Sequence, residues 1–309
     1  MSKPSDVSAA PWVAIACAAL GAVLFGLKGV VVKLAYAAGA DAEPLLTWRL
    51  LIAAPVFAAV LAWRRERMIG WTWRTAVVLA VWGVVGFHIA AWVNFVGLQS
   101  IGAGLERVIL FLYPLLVVLG SAWRDGQPPP RRLLIGGVVT WAGISVAWWH
   151  QVRTGQADPW GAALVAASAA IFAVYMVGSE RVAKASGAVP GTALGMLAAC
   201  AGMIVQNLLG GTGAAVQGLP SREAWMWCVV LACACTAAPV LLHAVALARL
   251  TAGRVAVIST VGPVATLAAA WCALGEDPGA VGLIGSLITL AGVWWCLPVP
   301  PPPASGGRQ

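Results

Sequence analysis

Residues Gly97 to Ile144 are written twice in this chain. Moved by 149 positions, the segment lands without a gap on Ala246 to Val293. Leu98 falls on Leu247, Ala103-Gly104 on Ala252-Gly253, and Val108-Ile109 on Val257-Ile258. Pro114 falls on Pro263, Gly126 on Gly275 and Pro129 on Pro278. Leu134-Ile135-Gly136 then meets Leu283-Ile284-Gly285, and Thr140, Ala142 and Gly143 meet Thr289, Ala291 and Gly292. Chance identities in Ala/Gly/Val-rich sequence scatter and need gaps. This register holds through two apolar runs and the turn between them, so the chain is a duplication.

The repeat is built of membrane-like sequence. Of the 309 residues 61% are hydrophobic and 10% charged, against roughly 25% charged in a soluble domain. Apolar runs lie near 12–38, 44–63, 74–97, 103–123, 132–149, 159–179, 190–210, 224–247, 254–273 and 279–297. Each approaches the ~20 residues a helix needs to cross ~30 Å of hydrocarbon. The expectation is an all-α polytopic membrane protein with ten transmembrane helices. The end of the first run, Ala35-Tyr36-Ala37-Ala38, has the look of a signal-peptidase site, but the run is too long for a signal segment and contains Lys28 and Lys33. The seven cysteines include no CxxC pair and read as small hydrophobes. No metal cluster or cofactor motif is present.

The basic residues set the orientation. Arg64, Arg65, Arg67, Arg74, Arg124, Arg131, Arg132, Arg181, Lys184, Arg249 and Arg254 sit in alternate loops, on the side of Lys3 and Arg308. The other loops hold Arg153 and Arg222 with Asp41, Glu43, Asp158, Glu223, Glu276 and Asp277. Positive loops stay cytoplasmic, so both termini are expected there, and the net charge of +8 requires no nucleic acid. Five spans per half is odd, so the second half enters the membrane inverted. The expected units are 1–155 (helices 1–5) and 156–298 (helices 6–10), followed by a disordered tail at 299–309. Inverted repeats are a transporter architecture with substrate near the midplane.

A half-repeat of the form Gly97-Leu98-Gln99-Ser100-Ile101-Gly102-Ala103-Gly104, Tyr113-Pro114, a Gly-Pro turn and Leu134-Ile135-Gly136-Gly137…Ala142-Gly143 resembles the EamA repeat of the drug/metabolite transporter superfamily. The second copy, Ala246-Leu247 to Ala291-Gly292, resembles the same module. Within the superfamily the chain looks most like the YddG-type exporters of amino acids, including aromatic ones. The resemblance implies export of small zwitterionic metabolites across a bacterial inner membrane. The alternative cargo is a drug-like compound, sugar or nucleotide-sugar.

Ionisable residues inside spans are costly and mark function by default. Lys28, midway along the first span, reads as the cation for a substrate carboxylate or as half of a structural ion pair. Lys33 is nearer the outer end and able to snorkel; Arg49, a turn into the second span, suits an interface anchor. Glu106 and Arg107 open the fourth span. Glu106 reads as a structural partner of Lys28, Lys33 or Arg49, or as a proton site. These basic residues outnumber Glu106, which weighs against a cationic cargo.

In the third span His88, Trp92, Phe95 and Gln99 follow at steps of four, three and four, one helical side. His88 and Trp92 are therefore candidate cavity walls, or ordinary packing residues. Asn94 lies off that side, opposite His243 at the same shift, and reads as a substrate contact or an interhelical hydrogen bond. Tyr113 adjoins Pro114; Pro114 and Pro263 are the expected bending points. Tyr175 sits near the place in the second half that Lys28 has in the first, and is expected to face the same cavity. Twelve of the seventeen tryptophans sit near span ends, as in an interfacial aromatic belt.

No GxxxxGK[ST] loop is present, so no ATPase function or ATPase subunit is implied. HExxH and GxSxG are absent, which leaves a membrane enzyme as a remote alternative. The implied partners are the lipid bilayer and a small-molecule substrate, moved by alternating access, as a uniport.

Overall fold

In lipid a backbone amide has no water to bond, so apolar runs of this length fold as helices. A computed structural model describes residues 11–64, 68, 70–126, 128, 131–153, 155, 158–210, 218–247, 250, 258–259 and 261–296, and every regular element among them is helical. α1 is Pro11–Ala37 and α2 Ala42–Trp63; α3 is Trp73–Leu98 and α4 Ala103–Arg124. α5 is Arg131–Arg153, α6 Pro159–Ser186 and α7 Ala188–Leu209. α8 runs through Arg222–Ala232, Cys233–Ala237 and Ala238–Leu247. α9 is Val261–Leu274 and α10 Gly279–Cys296. Seven of these, α1 to α4 and α6 to α8, contain stretches long and apolar enough to cross a membrane; α9 and α10 are shorter apolar helices over the described residues. α6 outruns its expected end because Ser179-Glu180-Arg181 continues the helix into a polar network at that end. The expected tail at 299–309, the repeat residues Pro129, Ala252, Gly253 and Val257, and the topology residues Lys3, Arg65, Arg67, Arg249, Arg254 and Arg308 lie outside the described residues.

The 149-residue register recurs in local geometry. Thr72 caps α3 through its hydroxyl on the Thr75 amide, and Ser221, 149 residues on, caps α8 through the Ala224 amide. Both helices then widen into a π-helical turn, Val84–Ile89 in α3 and Cys233–Ala237 in α8. The turns after α4 and α9 each use a left-handed glycine, Gly126 at φ 65° and Gly275 at φ 66°, a conformation that costs glycine little.

Packing obeys the same rule. α1 packs on α8 and α9, while α6 packs on α3 and α4. α2 packs on α7 and α8, and α7 on α2 and α3. Exchanging each helix for the one five places away reproduces the pattern. α5 pairs with α10 along its length. Without a hydrophobic force between helices in lipid, close backbone approach decides such pairs. A Cβ on Gly143 would run into the backbone nitrogen and hydroxyl of Thr289 and lie 2.6 Å from the Gly285 carbonyl. One on Gly292 would run into the same groups of Thr140 and lie 2.8 Å from the Gly136 carbonyl. Thr140 and Thr289 turn their hydroxyls onto Gly136 and Gly285, each at 2.8 Å. As numbers rise along α5 they fall along α10, so the two helices run antiparallel.

α4 is broken at Phe111 into Ala103–Leu110 and Leu112–Arg124. Pro114 has no amide to give the Leu110 carbonyl and its ring crowds that group, which bends the helix one turn earlier. Pro263 stands two residues into the described α9, and residues 251–257 and 260 before it lie outside the described residues.

Gly143→Val and Gly292→Val are each predicted to destabilise the protein by about 1–3 kcal/mol through overpacking, and by similar amounts. Thermal unfolding in detergent checks this; a loss at one position alone contradicts the reciprocal crossing.

Candidate functional site

Near the middle of α1, Lys28 faces α3 and α4. Its Nζ donates to Oδ1 of Asn94 at 2.8 Å and lies 3.2 Å from Oε1 of Glu106. Asn94 Nδ2 donates to the same oxygen at 3.0 Å. The carboxylate is 1% exposed and the lysine side chain 17%. α1 makes room with Gly29, where a Cβ would lie 3.0 Å from Glu106 Oε2. Glu106 also stands in the first turn of α4, where the helix dipole favours an anion.

Two guanidinium groups adjoin this triad. Arg49 is 6% exposed, with its Cζ 5.1 Å from the centre of the Phe95 ring; Lys28 Nζ lies 5.9 Å from the same ring. Arg107 is half-buried, 5.4 Å above the Phe111 ring and beside Gly262, whose Cβ would lie 2.9 Å from Nη2. Both lie within electrostatic range of Lys28. The buried Nε atoms of Arg49 and Arg107 have no hydrogen-bond partner among the described residues. Lys28 and Arg107 thus lie close to the Glu106 carboxylate, and Arg49 adds a third positive charge near Lys28.

An aromatic wall stands beside them. Tyr113 of α4 meets Phe172 of α6 edge-on at 5.4 Å, Phe172 meets Tyr175 at 5.5 Å, and Tyr175 meets Phe87 of α3 at 5.0 Å. Tyr175 rests on Gly86, which has no Cβ to displace it. Phe25 of α1 meets His243 of α8 at 5.7 Å. The four wall residues and Phe25 are half-buried.

The two ends of the bundle are tied differently. At one end Glu276, in the turn after α9, accepts from the amides of Ala103 (3.0 Å) and Gly104 (3.1 Å), clasping the start of α4. This clasp borders a cavity of about 360 Å³ that also takes in Lys33, Gln99, Ser100 and Gln151. Lys33 donates to the Leu98 carbonyl at 3.4 Å, a basic group on a helix C-terminus. At the other end Arg124 of α4 pairs with Glu180 of α6 at 2.9 Å, and Arg181 with Asp125 at 3.3 Å. The Arg124 guanidinium, hydrogen-bonded to Asp125, holds that carboxyl below the usual carboxylate range. Among the described residues no three His, Cys, Asp or Glu side chains gather as a metal site.

The profile of the EamA-like transporter family matches residues 12–149 and again 159–297. The chain belongs to that family. It is therefore a multi-pass membrane transporter. It is also similar to the uncharacterized transporter YcbK of Bacillus subtilis (strain 168), 29% identical over 276 residues that cover 86% of each chain. A crystal structure shares the fold at a TM-score of 0.65 and 20% identity, over 91% of this chain and 95% of the other.

Within this transporter the sequence-marked residues separate. Lys28, Asn94 and Glu106 come together, and Tyr113 joins Tyr175 through Phe172. Glu106 takes Lys28, not Lys33 or Arg49, as its partner. Arg49 is no interface anchor: seven residues into α2, about 10 Å along it, it is enclosed on Phe95. The expected side of α3 also divides. His88 and Phe95 are buried, whereas Trp92, 37% exposed, joins Val77, Val81 and Ile89 on the exposed stripe. Trp92 and Phe95 both follow the π-helical turn and lie about 60° apart around the helix, so the edge of the buried side falls between them. His88 instead pairs through Nε2 with Oε1 of Gln206 at 2.7 Å, and Gln206 donates to Glu43 at 3.2 Å. Sequence reasoning missed Gln206 and the Glu276 clasp, whose partners lie far away in the chain. It also missed Phe172 and Phe87 as wall residues.

Glu106→Gln leaves the Lys28 charge without its counter-ion and is predicted to destabilise by about 3–5 kcal/mol. Replacing both groups, as Lys28→Met with Glu106→Gln, recovers most of that loss. Unfolding in detergent measures both, and an E106Q protein as stable as wild type contradicts the pairing.

Proposed function

We propose that this transporter exports amino acids, aromatic ones included, across a bacterial inner membrane. The observation that carries the reading is the interior charge balance. Lys28 and Arg107 lie close to the Glu106 carboxylate and Arg49 lies near Lys28; the remaining positive charge suits a substrate carboxylate while opposing a cationic drug. The wall of Tyr113, Phe172, Tyr175 and Phe87 supplies the apolar surface that an aromatic or aliphatic side chain needs.

In this reading the chain crosses the membrane ten times with both termini cytoplasmic. Residues 156–298 repeat residues 1–155 upside down, and 299–309 form a tail. The antiparallel α5–α10 crossing and the exchange of contacts between the halves support that arrangement. The loops sort to two ends: Ser221 reaches the Ala38 carbonyl at 3.0 Å at one end, and Trp71 the Ser186 carbonyl at 3.2 Å at the other. The substrate sits between the halves, which rock about it with bending at Pro114 and Pro263. The Glu276 clasp breaks and re-forms as the outer mouth opens. Glu106 is bound to Lys28 and Asn94, and the cycle in this reading is a uniport.

Counterflow in proteoliposomes, with labelled amino acids and no pH gradient, tests the proposal. Several neutral and aromatic amino acids are expected to accumulate and to compete with one another. Accumulation of sugars or drug-like cations in their place removes the amino-acid assignment, and flux that appears only under a pH gradient removes the uniport.

A further inference from the structure

The three interior cations are not equivalent. Lys28 spends its ammonium on Asn94 and Glu106. Arg49 is enclosed, its guanidinium over the Phe95 ring, and acts at a distance as fixed positive charge. Arg107 differs from both. It is half-buried, stands on the turn before the α4 break, and projects toward α1 and α9 where Gly262 presents no side chain. Its Nε has no protein partner among the described residues. A guanidinium binds a carboxylate through two parallel N–H bonds, which a lysine cannot reproduce.

We propose that Arg107, and not Lys28, receives the substrate carboxylate. The Lys28–Asn94–Glu106 triad then serves as a brace that holds α1, α3 and α4 in register and leaves the net positive field on Arg107. The face open to the ligand is bounded by Phe111 under the guanidinium and by the Gly262 backbone beside it. The aromatic wall begins at Tyr113, within electrostatic range of the same guanidinium. The two halves contribute unequally. The repeat counterparts of Glu106 and Arg107 are Val255 and Ala256, and at the same shift Lys28 falls on Val177, two residues from Tyr175. The carboxylate of the substrate is thereby fixed to the first half and its side chain is offered to the wall shared with α6. This inference rests on the transporter reading and narrows it to carboxylate-bearing cargo, whatever else the cargo carries.

The test uses ligand-induced thermal shifts of the purified full-length protein with acid/neutral pairs. The probes are L-phenylalanine against L-phenylalaninamide, 3-phenylpropionate against 3-phenylpropanol, and gluconate against glucose. In at least one pair the acid is expected to bind wild type about tenfold or more tightly than its neutral partner. Arg107→Gln should abolish that preference, and Arg107→Lys should keep only part of it. Lys28→Met paired with Glu106→Gln should keep it whole. If gluconate or 3-phenylpropionate gives the Arg107-dependent shift and phenylalanine gives none, the amino-acid reading fails and Arg107 stands. If R107Q keeps the acid preference, or the K28M/E106Q protein loses it while R107K does not, Arg107 is not the receptor. Wild type that prefers the neutral member, or responds to no acid, overturns the proposal. Should R107Q not fold, the R107K protein decides in its place: a full acid preference there overturns the proposal.

Discussion

The interior of this protein depends on one enclosed ion pair. Taking a lysine and a carboxylate out of water costs several kcal/mol each, and only close geometry with further hydrogen bonds offsets it. Asn94 supplies those bonds, accepting from Lys28 and donating to Glu106. Three helices, α1 and the consecutive α3 and α4, are thereby held to one point. The rest is arranged around it: Gly29 gives α1 room for the carboxylate, Phe95 lies beneath two cations, and the α4 break at Phe111 begins one turn beyond Glu106.

The fold repeats and the charges do not. Caps, π-helical turns, left-handed glycines and the glycine–threonine crossing recur at a spacing of 149 residues. Lys28, Arg49, Glu106 and Arg107 all belong to the first half. A symmetric scaffold suits a bundle that must take two mirrored openings, as proposed here. An asymmetric charge set suits a substrate that has two different ends. Symmetry thus governs the motion and asymmetry the orientation of the cargo.

Much of the fold was legible in the sequence because it rests on local chemistry. Apolar length set the helices, Gly126 and Gly275 their turns, and Pro114 the α4 break. Glu106 was marked as a partner of Lys28, Lys33 or Arg49 because few ionisable groups lie at depth, and the structure pairs it with Lys28. Each feature that escaped has a physical reason. Trp92 stands about 60° around the helix from the buried Phe95, and residue spacing alone does not say where the edge of the buried side falls. Arg49 looked like an anchor because its distance from the helix end says nothing of the rings packed over it. The clasp from Glu276 to Ala103 joins groups 173 residues apart, beyond any local pattern.

Alternating access requires an aqueous cavity between the halves, lined in this proposal by Tyr113 and Tyr175. Single cysteines at these two positions, in a background freed of native cysteines, would be challenged with a membrane-impermeant thiol reagent from each side. Both positions are predicted to label from both sides, more slowly with substrate bound, while a cysteine at position 92 stays unreactive in the lipid. Labelling of 113 and 175 from one side alone, or of neither, would contradict a cavity with alternating access.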